Sequence, residues 1–460
     1  MSGRARANTG SDMETPALPA AFRDAMAEML GDECPAFLRA LEALPALALR
    51  LNPSRPSAEA VAAPLIEGPV PWAPLGRYLR PDARPGASIA HWAGAYYVQE
   101  ASAMVPAAVL DARPGEIVLD LCAAPGGKAT QIAAGMGMRG ALIANEPEPA
   151  RARALAGHLE RMGAANAIVV NALPDRLARR WPETFDAILV DAPCSGEGMF
   201  RRDPASRAEW RPASPAGCAA RQAEILDRAA EMLKPGGRLV YSTCTFNRLE
   251  NEATVEGFLR RHPDFSPWDF ALDGLGSSTG GMLRVFPHRA RGDGHFAARL
   301  IKAGAPSPIA PRRGGRPGRP DPGVDRLLAM LTRDVCDLPD FIRDMQIFQT
   351  GDRLRAVPAA APSTEGLRVI LPGLMLLRAG RSHVEPEHAL AMALPFDCAR
   401  QVAELDDAEA AAYLAGAPLP SDGAPGWALA AWRGLPLGWG KRAQGMLKNH
   451  LPRGLRRSVS

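Results

Sequence analysis

Between about residues 103 and 303, short apolar runs alternate with segments long enough to be helices, and this alternation restricts the chain more than any other feature. The apolar runs are 117–121, 142–145, 168–170, 187–190 and 238–242, and the stretches 129–136, 149–162 and 217–233 have helical length. Runs without polar alternation suit strands buried on both faces. Strand–helix alternation predicts an α/β fold, a parallel sheet covered by helices. Two later runs, 282–286 and 295–301, flank a polar Arg/Gly-rich stretch and predict a closing hairpin.

On either side the pattern changes. Phe22, Met26, Met29 and Leu30, then Phe37, Leu38, Leu41 and Leu44, recur at helical spacing, while 51–95 is rich in Pro and Gly with brief strand-like runs. Residues 14–102 are therefore expected to form a small N-terminal α+β module ahead of a catalytic domain at 103–304. The stretch APSPIAPRRGGRPGRPDPG (305–323) reads as a semi-extended basic linker, and 324–460 as one separate C-terminal region.

Charge is informative only by position. Lys+Arg 54 against Asp+Glu 50 leaves a net +4, and lysine occurs only at 128, 234, 302, 441 and 448, so a high arginine count says little about nucleic acid. Residues 436–457, in contrast, carry six Lys/Arg and no acid. No apolar run reaches the ~18–20 residues of a bilayer span, and no apolar segment follows the N-terminal arginines. A cytoplasmic protein without a membrane partner is expected. The 7 cysteines form no C-x-x-C pair, which predicts neither a metal site nor a disulfide framework and fits a reducing compartment. Nothing requires an obligate protein partner.

The segment VLDLCAAPGGKAT falls where the first strand ends and the first long helix begins. Gly126 and Gly127 allow close backbone approach, and the helix start offers unpaired N–H groups to a polar ligand. This is the switch point at which open α/β sheets bind ligands. The run is neither G-x-G-x-x-G nor G-x-x-x-x-G-K-[ST], which disfavours dinucleotides and nucleoside triphosphates. Glu146 ends the second strand, where an acid suits ribose hydroxyls. S-adenosylmethionine has a ribose and no phosphate and so satisfies both observations. Asn171, after the third strand, is read either as an adenine contact or as a turn residue.

Strand four runs into DAPCSGEG (191–198) and strand five into YSTCTFN (241–247), which places Cys194 and Cys244 on one rim beside the expected cofactor. A thiol beside a methyl donor suits methylation of a pyrimidine carbon. A thiolate adding to C6 makes an enamine whose C5 can take the methyl, splitting one hard step into two. A free thiol with pKa ~8.5 is only about 3% thiolate at pH 7, a deficit of roughly 2 kcal/mol, so the site must help. Asp191 is read either as the group holding the N3 edge of cytosine or as a turn cap. Spacing alone leaves the choice of nucleophile between Cys194 and Cys244 open.

With these motifs the chain resembles the RNA cytosine-5 methyltransferases of the Sun family, and within them the RsmF-type 16S ribosomal RNA enzymes. RLN (50–52), GAYYVQEASAM (94–104), LDLCAAPGGK (119–128), DAPCSGEGMFRRDP (191–204), STCTFNRLENE (242–252), RVFPHRARGDGHFAARL (284–300) and PLGWGKRAQGMLKNHLPRGLR (436–456) carry the likeness. The resemblance implies a Rossmann-like methyltransferase sheet, flanked by the N-terminal module and by a C-terminal α+β RNA-binding domain of PUA-like type. It also implies a cofactor loop of Cys122, Ala123, Ala124, Pro125, Gly126, Gly127 and Lys128, a ribose acid at Glu146, and Asp191 between cofactor and base. Cys244 would be the nucleophile, and Cys194 would assist product release. Many relatives carry Asp where this chain has Asn171, which bears on the adenine contact.

An RNA substrate, most simply 16S rRNA or the small ribosomal subunit, follows from the resemblance. The same chemistry on tRNA or DNA, or a poorly active RNA-binding assembly factor, are the alternatives. A stacked cytosine hides C5, so the base must be extruded or presented in a loop. Trp439, Lys441, Arg442, Lys448 and His450 in the tail, with Arg201 and Arg202 beside the active-site loop, are expected to meet the RNA.

Overall fold

The computed structural model describes residues 16–305, 322–343, 345–381 and 383–458. Most of the expected linker, 306–321, and the first fifteen residues lie outside the described residues.

The alternating segment folds as expected. Strands β1 (Ile117–Asp120), β2 (Ala141–Asn145), β3 (Ala167–Val170), β4 (Phe185–Asp191) and β5 (Leu233–Thr243) pair in parallel in the order β3-β2-β1-β4-β5. Order reverses at β1, between β2 and β4, which is the switch point. Helices α1 (Gly127–Gly135), α2 (Pro149–Arg161), α3 (Pro174–Arg180), α4 (Ser214–Met232) and α5 (Glu252–Arg261) connect the strands. The strands are apolar throughout because helices cover both faces. Val118, Leu142, Val169 and Leu189 belong to one buried cluster, and Leu119, Ile143, Ile168 and Ile188 to the other. Each such side chain contributes about 1.5–3 kcal/mol on burial.

The closing hairpin is present, with β6 (Met282–Val285) antiparallel to β7 (His295–Lys302), and β7 antiparallel to β5. The far edge of the sheet departs from expectation. The run 367–371, read as part of the separate C-terminal region, supplies the strand Val369–Leu371, which pairs antiparallel with β3 and completes a 9-stranded sheet. Its valine and leucine cover an edge that would otherwise expose unpaired backbone groups.

The C-terminal region also divides. A four-stranded sheet (Met345–Thr350, Arg353–Pro358, Leu374–Ala379, Val384–Pro386) precedes a five-stranded one built on Val402–Leu405, Gly426–Trp432 and Leu435–Ala443. The latter shares its core with the N-terminal module, since Leu49, Leu51 and Tyr96 lie in one cluster with Tyr413, Leu437 and Leu447. The N-terminal strands form an antiparallel four-stranded sheet (Ala48–Leu51, Ile66–Val70, Ala73–Leu79, Tyr96–Val98) behind two helices, Ala20–Leu30 and Cys34–Glu42.

Those two helices bear directly on the cysteine turns. Phe22 and Phe37 pack with Phe200, Trp210, Phe246 and Phe286 in one aromatic cluster. The Phe22–Phe200 and Phe37–Phe246 ring centroids are each 5.0 Å apart, edge to face, the favoured geometry. Phe200 follows Cys194 and Phe246 follows Cys244, so one apolar plug steadies both turns. Among the described residues no helix is long and apolar enough to cross a membrane, and no group of His, Cys, Asp or Glu could hold a metal ion.

Candidate active site

At the end of β1 the chain turns through Cys122–Gly126 into α1. Gly126 has φ +116°, a conformation that favours glycine, and a Cβ there would meet Leu155 at 3.1 Å. A Cβ on Gly127 would lie in ordinary contact with Tyr97 and Gln99. The turn is fixed from both sides. Buried Arg50 donates to Gln99 Oε1 (3.0 Å) and Thr130 Oγ1 (2.7 Å), and Arg151 donates to Ala124 O (3.0 Å) while pairing with Glu146 (3.1 Å). The RLN motif thus couples the N-terminal sheet to this loop. Its Asn52 donates to Gly94 O and Met162 O.

A cavity of about 210 Å³ opens over the turn, lined by Tyr97, Gln99, Asp120, Cys122–Pro125, Gly127, Lys128 and Asp191. Asp120 is fully buried and neither carboxylate oxygen has a hydrogen-bond partner among the described residues. Burial, with Asp191 nearby, pushes its pKa up to about 8. Such an orphaned acid fits a ligand that brings a cation, as the α-amino group of S-adenosylmethionine does. Glu146 lies outside this lining, on the adjacent strand end, 2% exposed. The amide nitrogen of Asn171 donates to Glu146 O and Pro147 O, each at 2.8 Å. It therefore shapes the loop carrying Glu146.

On the opposite wall Lys128 Nζ lies 2.8 Å from Asp191 Oδ2, while Ser242 donates to Oδ1 (2.8 Å) and His295 Nε2 stands 3.6 Å away. Burial works against the Asp191 charge, but Lys128 and His295 outweigh it and hold the carboxylate well below its usual range. Burial likewise opposes the Lys128 ammonium, Asp191 more than offsets it, and its pKa is raised. Burial keeps the His295 imidazole neutral. Asp191 is thus a fixed anion, able to accept a hydrogen bond from a base edge.

Beyond Asp191 the two cysteine turns meet, with Cys194 Sγ 3.3 Å from Cys244 Sγ. The contact with Cys244, then burial, raises the Cys194 pKa, so Cys194 keeps its proton. Two buried glutamates hold the turns together. Glu197 accepts from Phe246 N (2.8 Å), Asn247 N (2.9 Å) and the Asn247 amide. Glu250 accepts from Ser195 N (2.9 Å), Gln222 (2.8 Å) and Asn247 (2.7 Å), so every hydrogen bond crosses between segments remote in sequence or braces one of the turns. Gly198 N donates to Cys244 O at 2.8 Å, and a Cβ on Gly198 would come within 2.7 Å of that oxygen. Two cysteine turns are thus braced by buried carboxylates beside a ligand cavity.

Family models match in four consecutive blocks. The N-terminal domain of 16S rRNA methyltransferase RsmF matches 18–101, 16S rRNA methyltransferase RsmB/F matches 107–301, the RsmF first C-terminal domain 335–394, and the RsmF PUA domain 400–457. Ribosomal RNA small subunit methyltransferase F of Pectobacterium atrosepticum is 33% identical over 473 residues, covering 96% of each chain. The chain belongs to the 16S rRNA methyltransferase RsmB/F family. The enzyme of the same name from Klebsiella pneumoniae is 35% identical over 84% of each chain. A methyltransferase homolog protein from Pyrococcus horikoshii superposes with TM-score 0.53 at 29% identity, covering 61% of this chain and 94% of that one.

In this RsmB/F-family chain several residues expected at the RNA are engaged within the fold. Arg201 donates to Ala43 O (3.1 Å) and Gly292 O (3.3 Å), and Arg202 pairs with Asp293 and donates to Ala46 O. Both arginines staple the Cys194 loop to its surroundings. In the PUA domain Trp439 is 2% exposed with its indole on Glu387 O, and Arg442 bonds Ser421, Gln401 and Val402 O. Lys448 and His450 remain exposed, and Lys441 faces Lys448 across the strand pair. Sequence reading also missed Glu197, Glu250 and His295. The glutamates stood inside quoted motifs, and their spacing carried no sign of which turn each would bond.

Proposed function

We propose that this chain methylates C5 of cytidine in RNA, most specifically 16S ribosomal RNA, using S-adenosylmethionine and a covalent bond between Cys244 and C6 of the base. One observation carries the reading: two thiols from separate strand ends lie 3.3 Å apart beside an anionic Asp191 and a cavity closed by the Cys122–Lys128 turn. Family membership and the PUA domain support the RNA substrate.

The Cys122–Lys128 turn and Glu146 would hold S-adenosylmethionine, with Asp120 available to its ammonium, and the cofactor would supply an electrophilic methyl group. Asp191 accepts a hydrogen bond from the N4 amino group of the cytosine, and Lys128 keeps that carboxylate ionised and in place. Cys244, as its thiolate, adds to C6, the electrons of the C5=C6 bond move to C5, and C5 takes the methyl group as the bond from that methyl to the donor sulfur breaks. Loss of the C5 proton to a base restores the double bond as the Cys244–C6 bond breaks. Cys194, still protonated and against Cys244, is placed to assist that release.

Methyl incorporation from radiolabelled S-adenosylmethionine into 16S rRNA or small subunits from a strain lacking the gene tests the reading, with bisulfite sequencing to locate the mark. Label in cytosine C5 supports it, and label at another atom, or none, overturns it.

A further inference from the structure

A second cavity, of about 310 Å³, runs along α2 where three parts of the chain meet. His91 and Trp92 reach it from the N-terminal module, His158 from α2, and His388 and Arg457 from the C-terminal region, over a floor of leucine side chains. None of these residues enters the methyl-transfer reading.

Two features mark it as more than a packing gap. The Nδ1 atoms of His91 and His388 are buried without a hydrogen-bond partner among the described residues, an arrangement that folded proteins rarely leave unfilled. Burial holds both rings neutral, pulling His91 down to about 3 and His388 to about 4. A neutral imidazole offers one N–H and one lone pair, and both residues line the cavity, so a ligand that turns either ring toward it meets a complementary polar edge. Trp92 provides a half-buried aromatic wall, and the Arg457 guanidinium stands 5.5 Å from its ring centroid. The lining also reaches the first site, since His158 Nδ1 is 2.6 Å from Pro125 O in the cofactor turn.

Apolar faces, neutral imidazoles, the Arg161 and Arg457 guanidiniums and the Glu160 carboxyl, pushed up to about 7 by burial, together describe the complement of a nucleotide, whose base is planar with donor and acceptor edges and whose phosphate is anionic. We propose that this junction captures one unpaired nucleotide of the RNA substrate, with its base among His91, Trp92 and His388 and its phosphate beside Arg457. The inference rests on the RNA-methylation reading and adds a site remote from the reacting cytosine. Because its walls come from three modules, an occupied pocket fixes how the PUA domain presents RNA to the cleft. A lipid tail would leave both imidazole nitrogens unpaired.

The test uses the full chain with Leu455→Trp, which fills the cavity, and the milder His388→Phe and Arg457→Ala. KM for 16S rRNA should rise about tenfold, the order expected for one lost stacked base, with kcat and S-adenosylmethionine affinity within about twofold of the parent. Ultraviolet cross-linking of 4-thiouridine-substituted rRNA to the parent protein should label the peptide containing Trp92. Unchanged KM in all three variants, or cross-links that avoid Trp92 and the 451–457 segment, overturns the proposal. Stabilisation of the parent by free AMP, lost in Leu455→Trp while the RNA KM is unchanged, overturns the RNA assignment in favour of a free nucleotide. Absence of methyl incorporation by the parent strikes the methylation reading alone, because the cross-link still reports the pocket.

Discussion

Cys194 Sγ and Cys244 Sγ stand 3.3 Å apart, on turns that follow the neighbouring parallel strands β4 and β5. The register pairs Asp191 with Ser242, so each cysteine lies a few residues past the same level of the sheet. Replacing Cys244 by Ala should abolish methyl incorporation while leaving S-adenosylmethionine affinity near that of the parent, measured by calorimetry. Replacing Cys194 by Ala should trap a covalent protein–RNA species, seen as a slow band on denaturing gels. A Cys194→Ala protein that is dead and forms no adduct, beside an active Cys244→Ala protein, would reverse the two roles.

Lys128 and Asp191 form a partly buried pair, their side chains 12% and 27% exposed. Asp191→Asn strands the ammonium and should cost somewhat less than the ~3–5 kcal/mol of a fully buried pair, because water reaches the carboxylate. The double change Lys128→Met with Asp191→Asn should recover part of that loss in urea unfolding. Since the pair lowers the carboxyl pKa, its contribution is present above the unfolded value near 3.8 and fades as pH falls below it.

Asp120 gives the opposite sign. Its folded pKa of about 8 lies above the ordinary aspartate value of 3.8, so the folded state binds the proton more tightly. Stability of the ligand-free protein should therefore decline as pH rises from about 4 to 8, by several kcal/mol in all. Asp120→Asn should flatten that decline in thermal melts and weaken S-adenosylmethionine binding, since the partner for its ammonium is gone. An unchanged pH profile would remove the group from this role.

Phe37 is fully buried with its ring edge-on to Phe246. Phe37→Ala should cost about 3–5 kcal/mol by opening a cavity behind the Cys244 turn. Measured below its melting point, the variant should lose kcat more than S-adenosylmethionine affinity, because the plug supports the cysteine turns and not the Cys122–Lys128 loop. Equal losses in both would show that the whole domain has loosened.

The parallel sheet was readable because each strand is buried on both faces, which leaves an uninterrupted apolar run, and because glycine marks the turn at Gly126. The edge strand Val369–Leu371 was not, since its short run resembles any other in the C-terminal region and its partner β3 lies far back in the chain. Arg201, Arg202 and Arg442 illustrate the same limit: an arginine aimed at a carbonyl or carboxylate inside the fold looks identical in sequence to one aimed at a phosphate. Asn171 is a further case: the sequence reads it as ligand contact or turn, and only the structure shows its amide nitrogen on two carbonyls.

Residue order by itself determined the strand–helix alternation, the ligand turn at the first strand end and the two cysteines on one rim, because periodicity and backbone freedom are local properties. Tertiary structure alone decided that Cys194 touches Cys244, that Lys128 neutralises Asp191, that Glu197 and Glu250 brace the turns and that Asp120 is fully buried near Asp191. Those relationships depend on which buried groups meet across the fold, and a low-dielectric interior makes each such meeting strong enough to set protonation and position.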